Sequence, residues 1–359
     1  MQRISAKQFV VFFASVIGLF VFYHFIVWSF FASKIFDASP RYVGDLGRMS
    51  YQIDSLAPRI PSADLPRKHL EQISSDQTVE LVTIGDSFSN GMASGKNAYY
   101  QDYLATRLGI NVLNIQNIDE NHGYIDTVRY LQRTGWFKRH GTKAVLLQCV
   151  VRESLNHVPS KNIPLSPPKD LNAALFDKKF TTEFPTPQWI NTGNYKFPYY
   201  AIAYRFNNHA KKEVYRFPLT RNMFSSKTAD NLLVYHDDLN NLSRFNEKSI
   251  RTLNDQLNAL SHELSREDIT LLFMPSADKY DLYYDFISER NEYPENPFFD
   301  LLRKQPKTYR LVDTKAILMP LLVRNIRDVY YPDDTHWSYK ASDAISQSPV
   351  FDFLEKGNR

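Results

Sequence analysis

An uncharged segment near the N-terminus constrains this chain more than any other feature of its sequence. From Phe9 to Ala32 there is no Asp, Glu, Lys or Arg. A helix of this length, rising about 1.5 Å per residue, would reach roughly 36 Å, whereas the hydrocarbon core of a bilayer is about 30 Å thick. The run is too long for the apolar part of a signal peptide, and Phe30-Phe31-Ala32 makes a poor cleavage site. We predict that residues 1–36 form a single-pass membrane anchor, with one helix over residues 9–32 that stands apart from the following domain.

Basic side chains lie on both sides of this run in nearly equal number. The positive-inside rule therefore leaves the orientation of the anchor open. Four prolines punctuate the next segment, at positions 40, 58, 61 and 66, and argue against one long helix. Residues 37–78 are accordingly predicted to be a stalk or linker.

Short apolar runs alternate with helical stretches over residues 79–350. Strands are predicted at 79–84, 110–115, 143–151, 269–274 and 309–312, and helices at 97–108, 124–132, 247–267 and 339–347. This alternation predicts an α/β domain, with a parallel sheet flanked by helices. Residues 351–359 are predicted to be a C-terminal tail.

Residues 157–245 interrupt the alternation and are predicted to be an insertion. They are rich in aromatic side chains, including Phe184, Trp189, Tyr195, Phe197, Tyr199, Tyr200, Tyr204 and Phe206. Large aromatics are mostly buried, so the insertion is expected to pack a small core of its own. The alternative is an aromatic wall that binds sugar rings.

Charge and cysteine content exclude some classes of partner and site. Lys+Arg 43 nearly balance Asp+Glu 39, and a net charge of +4 is too weak to indicate nucleic-acid binding. Cys149 is the single cysteine, which excludes an internal disulfide and a structural zinc site built on cysteines. We predict neither a metal nor a cofactor.

A candidate nucleophile follows the first predicted strand of the domain. Residues 81–90 read LVTIGDSFSN, so Ser87 comes where an apolar strand ends. Ligand sites in open α/β sheets lie at the carboxyl ends of strands, and backbone N–H groups there can stabilise an oxyanion. Gly85 would let the backbone turn. The alternative is an ordinary turn with a capping Ser or Asp.

A candidate base lies near the C-terminus. Residues 329–338 read VYYPDDTHWS, and His336 follows two carboxylates, Asp333 and Asp334. A serine hydroxyl needs a base within hydrogen-bond reach, and the base needs an acceptor that sets its tautomer. Either Asp could be that acceptor. A solvated acidic loop is the alternative, but Ser87 at the first strand end and His336 in the last loop together favour catalysis.

These blocks resemble the SGNH hydrolase superfamily, and most closely its alginate O-acetyltransferase-type branch. The residues that carry the resemblance are Gly85–Ser89, Gly123, Met274–Tyr280 and Asp334–Trp337. The resemblance covers roughly residues 79–350 and thins in the insertion. It implies an SGNH, flavodoxin-like fold.

The resemblance also implies roles for individual residues. Ser87 would be acylated, and His336 would act first as general base and then as general acid. Asp334 matches the Asp-x-His spacing of the alginate-type block and is the preferred orienting residue, whereas Asp333 matches the Asp-x-x-His spacing common in the superfamily. The N–H groups of Ser87 and Gly123 would line the oxyanion hole.

The chain departs from the family pattern at the third block, which normally supplies an asparagine to the oxyanion hole. Residues 150–154 here read VVRES. Arg152 would replace the asparagine as a donor, or pair with an acid and only shape the pocket. Lys279 would lie near the site and bind substrate charge, or be an ordinary solvated lysine.

The resemblance further implies a membrane-anchored O-acyltransferase, with acetyl as the preferred group, acting on a polysaccharide. The catalytic domain would lie on the outer, periplasmic side of a bacterial-type inner membrane, beside a membrane-bound O-acyltransferase as partner. A carbohydrate O-acetyl esterase is the closest alternative, since it shares the acyl-serine. A non-catalytic scaffold of a polysaccharide-modification complex is the third.

Overall fold

A parallel sheet forms the centre of the protein. The computed structural model describes residues 5–33, 44–52, 65–75, 77–92, 98–161, 163, 165–177, 188–290 and 293–355. The strands are β1 (Leu81–Ile84), β2 (Val112–Ile115), β3 (Ala144–Val150), β4 (Val214–Pro218), β5 (Asn231–Tyr235), β6 (Thr270–Ser276) and β7 (Arg310–Leu311). Within this described part, five strands pair in parallel in the order β2-β1-β3-β6-β7, and β4 and β5 form a separate antiparallel hairpin.

The strand order places the predicted nucleophile at a switch point of the sheet. Counted along the sheet alone, the order is 2-1-3-4-5, that of flavodoxin-like doubly wound sheets. The chain adds strands on one side of β1 and then, from β3 onward, on the other side. Ligands bind such folds outside the carboxyl ends of the two strands where this change occurs. Ser87 lies just beyond β1. Every residue of β1, β2 and β3 is buried, as in parallel strands covered on both faces.

Besides the strands, the described part of the chain contains the long apolar N-terminal helix and the helices of the domain. They are α1 (Ala6–Val27), α2 (Asp45–Ser50), α3 (Tyr100–Leu108), α4 (Tyr124–Arg133), α5 (Trp136–Arg139), α6 (Ser154–His157), α7 (Leu171–Phe176), α8 (Gly193–Phe206), α9 (His236–Asn240), α10 (Glu247–Ser265), α11 (Lys279–Tyr283), α12 (Phe298–Arg303), α13 (Thr314–Val323) and α14 (Tyr339–Ser346). Short 3-10 turns cover Val151–Glu153, Leu242–Arg244, Tyr284–Phe286 and Pro349–Leu354.

The strands and helices predicted from the hydrophobic pattern of residues 79–350 are all confirmed, with ends displaced by a few residues. The predicted start of α3 at Asn97 lies outside the described residues. Gly109 ends α3 in the left-handed conformation at φ 66°, as its position in the sequence predicts.

The long apolar N-terminal helix is confirmed, but its predicted separation from the following domain is wrong. α1 continues into a π-helical turn at Trp28–Ala32. The Tyr23 hydroxyl donates to the Asn194 carbonyl at 2.6 Å, and His24 Nε2 lies 2.8 Å from the Tyr195 hydroxyl. The polar groups of an otherwise apolar run thus find partners on α8.

The segment predicted to be a stalk is part of the domain wherever the structure describes it. Residues 37–43, 53–64 and 76, which include three of the four prolines, lie outside the described residues. Leu46 on α2 is fully buried with Val214 and Leu233 of the β4–β5 hairpin. Leu70 pairs in parallel with Leu113, beside β2. These apolar contacts anchor the segment on the domain.

In the described part of the insertion, the buried apolar side chains pack with other parts of the chain and not in a core of their own, contrary to the prediction. Phe217, Phe224, Leu232 and Val234 join the main hydrophobic core instead. Phe184 lies outside the described residues. The hairpin lies over the domain because its apolar side chains alone cannot enclose a core.

The predicted tail is also packed where it is described. Phe351 and Leu354 are buried in the main core. Asp352 pairs with Arg107 of α3 at 2.6 Å. Residues 356–359 lie outside the described part.

Candidate active site

The loop that carries Ser87 requires a glycine at position 85. A Cβ atom there would lie 2.3 Å from both the Gln148 Oε1 and the Ser89 Oγ atoms. Ser89 Oγ donates to Gln148 Oε1 at 2.8 Å, so the loop packs directly on β3. Close approach, together with the turn, explains the Gly before Asp86-Ser87.

Asp86 holds this loop to the end of β3, a role that the sequence alone did not reveal. Its carboxylate accepts hydrogen bonds from the Phe88 N–H at 3.0 Å, from Gln148 Nε2 at 2.9 Å and from the Val150 N–H at 2.6 Å. The sequence feature that could have indicated this role is Gln148, because a polar residue within a buried apolar strand needs a hydrogen-bond partner. The loop is thereby prevented from shifting relative to the sheet.

His336 connects the serine to a carboxylate. Its Nε2 lies 2.7 Å from Ser87 Oγ, and its Nδ1 lies 2.6 Å from Asp334 Oδ1. The same carboxylate oxygen accepts the His336 backbone N–H at 3.0 Å. The tautomer that satisfies both contacts carries its proton on Nδ1 and offers the Nε2 lone pair to the serine.

This chain of contacts has the geometry of a Ser-His-Asp triad. No protein-family model matches this sequence, and neither does any curated protein.

The structure gives the two candidate aspartates, Asp333 and Asp334, different contacts. Asp334 is the carboxylate that contacts His336, in agreement with the Asp-x-His spacing. Asp333 is completely buried, and its carbonyl accepts the Gly47 N–H at 2.8 Å. A Cβ at Gly44 would lie only 2.6 Å from Asp333 Cγ, so α2 begins directly against this residue. Asp333 thus faces the segment that begins at Gly44 and forms α2.

The environment of His336 favours its charged form. Burial alone would lower the pKa of the imidazole, but the Asp334 carboxylate, its hydrogen bond and Asp45 outweigh burial and raise the pKa. Phe88 packs against the ring, with its centre 4.7 Å from that of His336, and Trp337 packs in turn against Phe88 at 4.6 Å. A stabilised imidazolium is what a base needs after it accepts the serine proton.

Gly123 does not offer the free donor that was predicted. Its N–H donates to Asp126 Oδ2 at 3.0 Å, because Gly123 is the N-cap residue of α4 and the carboxylate three residues later reaches back to it. Within the described part of the chain, no hydrogen bond takes the Ser87 N–H. Of the two predicted oxyanion-hole donors, Ser87 is the one whose N–H is available.

Arg152 forms ion pairs rather than an open donor site. Its Nη1 lies 3.0 Å from Asp238 Oδ1 and 3.0 Å from Asp278 Oδ1. The guanidinium carbon also lies 5.3 Å from the ring centre of Tyr235. Two buried carboxylates oppose one cation, so the guanidinium is held in place. The structure thus shows the ion pairs of the salt-bridge alternative, and replacement of the missing asparagine by Arg152 stays a prediction.

Lys279 is buried, so the solvated alternative is wrong. Its Nζ donates to the carbonyls of Tyr331 and Pro332, at 2.9 and 3.1 Å. Burial lowers the pKa of this amine to about 8, although Asp333 and other acids oppose the shift. Lys279 supports the loop that presents His336. The groups that accept from its amine are backbone carbonyls of this loop, and not substrate atoms as the other prediction had it.

Replacing Lys279 with Met is expected to destabilise the protein and disorder the histidine loop. Two buried carbonyls would lose their donor, which costs about 2–3 kcal/mol. Urea unfolding should therefore show a lower free energy of unfolding than for the wild type. The exposed Lys248 of α10, changed to Met, is the control and should stay within about 0.5 kcal/mol. Equal stability of the two variants would contradict the support assigned to Lys279.

Asp45, at the start of α2, reaches the same loop, and nothing in its local sequence marks it. Its Oδ1 accepts the Thr335 N–H at 2.7 Å, and its Oδ2 accepts the Thr335 hydroxyl at 2.5 Å. Oδ2 also lies 3.9 Å from His336 Nδ1. Burial and then the Asp334 charge raise the pKa of Asp45. A residue from the predicted stalk therefore forms a second carboxylate layer behind the histidine.

Asp45, Asp334 and His336 are also the described residues whose ligand atoms could converge on a metal ion, all within 4.8 Å of one another. Their hydrogen bonds argue against such a site. The Nδ1 atom that would bind the ion instead donates to Asp334, and both Asp45 oxygens accept from Thr335. The atoms that would bind the ion already have hydrogen-bond partners within the protein. The three residues therefore fit a proton-transfer chain better than a metal centre.

Changing Asp45 to Asn is expected to shift the pH dependence of any reaction in which His336 activates Ser87. Loss of a negative charge near His336 destabilises the imidazolium, so the pKa of the histidine falls and the free base persists to lower pH. The acid limb of the pH–rate profile should move down by about half a pH unit, with kcat/KM reduced about tenfold by the looser loop. Asp255, exposed on α10, provides the Asp→Asn control. A slower enzyme with an unmoved profile would assign Asp45 a purely structural part.

Proposed function

We propose that this protein is a membrane-anchored serine acyltransferase that works through an acyl-enzyme at Ser87. The contact chain from Ser87 through His336 to Asp334 is the observation that carries the proposal. Serine is a weak nucleophile on its own, and this is the arrangement that activates it. The position of Ser87 at the switch point of the sheet also supports the proposal, because a substrate can approach there.

In the first half-reaction Ser87 Oγ attacks the carbonyl carbon of an acyl ester while its proton moves to His336 Nε2. The imidazolium is stabilised by Asp334 at Nδ1, and the developing oxyanion is placed to accept from the Ser87 N–H. Collapse of the tetrahedral intermediate breaks the bond to the leaving group, which takes the proton from Nε2. The product is an ester on Ser87.

In the second half-reaction a hydroxyl group replaces the leaving group. His336 Nε2 takes the proton of this hydroxyl as its oxygen attacks the acyl carbon, and then returns the proton to Ser87 Oγ as the bond breaks. A sugar hydroxyl gives an O-acylated polysaccharide and water gives hydrolysis. The family resemblance favours acetyl transfer to a polysaccharide.

The family resemblance favours a site of action outside the cytoplasm, and the membrane anchor would keep the protein at the surface of the inner membrane. The described part of α1 and its π-helical extension, Ala6–Ala32, is long and apolar enough to cross a bilayer. We propose a membrane-bound O-acyltransferase as the partner that delivers the acyl group. Tethering both proteins to one membrane would raise their effective concentration.

The proposal is tested by incubating the full-length protein with an activated acetyl ester and measuring the mass of the peptide that carries Ser87. An acetyl adduct is expected. Transfer is then separated from esterase activity by adding polysaccharide and quantifying sugar acetyl against free acetate. Free acetate that is insensitive to added polysaccharide would make the protein an esterase. The absence of an adduct, with normal decoration by Ser87→Ala cells, would make it a scaffold.

A further inference from the structure

The helix α8 has apolar side chains on two opposite faces. Phe197 and Tyr204 are buried against the rest of the protein. The opposite face carries a row of exposed residues at helical spacing, here named the α8 stripe: Tyr195, Tyr199, Ile202 and Phe206. Their exposed fractions run from 51% at Tyr195 to 86% at Phe206. A helix with apolar side chains on two opposite faces requires a second apolar environment for the face that the protein leaves exposed.

Charged side chains border the α8 stripe on both sides. Lys196 and Arg205 are exposed, and helical geometry places them on opposite flanks of the row. Trp189 and Ile190 are also exposed just before the helix. Aromatic and aliphatic side chains between basic residues are typical of helices that lie in the headgroup region of a membrane, where long cationic side chains extend to the phosphates.

The first turn of α8 contacts α1 at the level where a bilayer would end. Counted from Phe9, where the uncharged run begins, about 20 residues at about 1.5 Å each cover the hydrocarbon core and end near Trp28, about one turn beyond His24. Side chains from Phe9 to Phe22 are exposed around α1, whereas His24 is completely buried. Asn194 Nδ2 lies 2.6 Å from His24 Nδ1, so α8 begins beside α1 where α1 ceases to be exposed on all sides.

We propose that α8 is a second membrane contact, with the α8 stripe in the lipid headgroup region of the leaflet from which α1 emerges. The stripe is continuous with the surface of α1, because the rings of Tyr195 and Tyr23 stack with centres 5.8 Å apart. This inference rests on the proposed insertion of α1 in a membrane and is independent of the acyl chemistry. A lipid surface is the occupant that matches both the aromatic row and its basic borders.

This contact would place the active site at a set height above the membrane. Tyr51, the residue that ends α2, stacks on Tyr200 of α8 with ring centres 5.6 Å apart and an interplanar angle of 9°. The other end of α2 carries Asp45, which holds the histidine loop through Thr335. α8, α2 and the catalytic loop thus form one continuous set of contacts, and an acyl group delivered at the membrane surface would meet Ser87 without a long diffusional path.

The test uses full-length protein in phosphatidylglycerol–phosphatidylethanolamine vesicles. Ile202→Cys on the α8 stripe is labelled with an environment-sensitive fluorophore, and native Cys149 is buried and does not compete. Lipids with a nitroxide near the headgroup should quench this label at least about twofold more strongly than a label at Val323→Cys. Val323 is an exposed apolar residue at the end of α13 and is the matched control.

A third label, at Phe13→Cys, reports on α1 itself and should be quenched by nitroxides deep in the acyl chains. If Phe13 is quenched while the label at 202 behaves like that at 323, α8 does not lie on lipid and the proposal is overturned; a protein partner would then be the remaining cover for the stripe. If Phe13 is not quenched, α1 is not inserted and the proposal also fails. Neither outcome depends on Ser87 chemistry, which the acetyl-adduct measurement tests separately.

Discussion

Ser87→Ala is expected to lower the rate of acyl-enzyme formation by at least about four orders of magnitude. The hydroxyl is the atom that would carry the acyl group, and no other group is in contact with His336 Nε2 in the described part of the site. Folding should survive, since Ser87 is half-buried and loses a single hydrogen bond, worth about 1 kcal/mol. His336→Ala should be nearly as severe because nucleophile and base act as a unit.

The measurement is the burst of released alcohol from an activated acetyl ester, together with the mass of the Ser87 peptide. Ser265→Ala, which removes an exposed hydroxyl at the end of α10, is the matched control and should acylate like the wild type. A full burst from Ser87→Ala would place the acyl group elsewhere and remove the basis of the proposed mechanism.

Asp334→Asn is expected to reduce kcat/KM by about three to four orders of magnitude, whereas Asp333→Asn should stay within about tenfold of wild type. An amide at position 334 can donate to His336 Nδ1, which favours the tautomer with its proton on Nε2. In that tautomer Nε2 cannot accept the proton of Ser87. It also withdraws the charge that stabilises the imidazolium. Asp333 is not the carboxylate bonded to Nδ1, so the same change there should leave the tautomer of His336 and the charge at Nδ1 as they are.

The two variants form a matched pair, because they make the same chemical change on adjacent buried residues. Asp333→Asn is expected to show its effect in the free energy of unfolding, since its side chain lies against Gly44 at the start of α2. Unfolding curves measured beside the kinetics separate the two effects. A larger loss of activity for Asp333→Asn than for Asp334→Asn would reverse the assignment.

The main elements of the domain were predictable because their signals are local. A buried parallel strand is an unbroken apolar run, and a helix stop such as Gly109 is a property of one residue. The same pattern could not show that residues 44–52 are part of the domain. A proline-punctuated segment resembles a linker until the partner of Leu46 is known, and that partner is a hairpin far away in the sequence.

The sequence by itself determined the long apolar helix, the parallel α/β sheet and the candidate pair Ser87 and His336, since residue type and local spacing carry that information. Tertiary structure alone decided that Asp334 contacts His336, that Lys279 is buried, that Arg152 and Gly123 are engaged by acids, and that Asp45 supports the histidine loop. Asp45 and Thr335 are separated by 290 positions, and the fold brings them within 2.7 Å. Burial, charge pairing and hydrogen-bond partners depend on such long-range contacts, which no local pattern encodes.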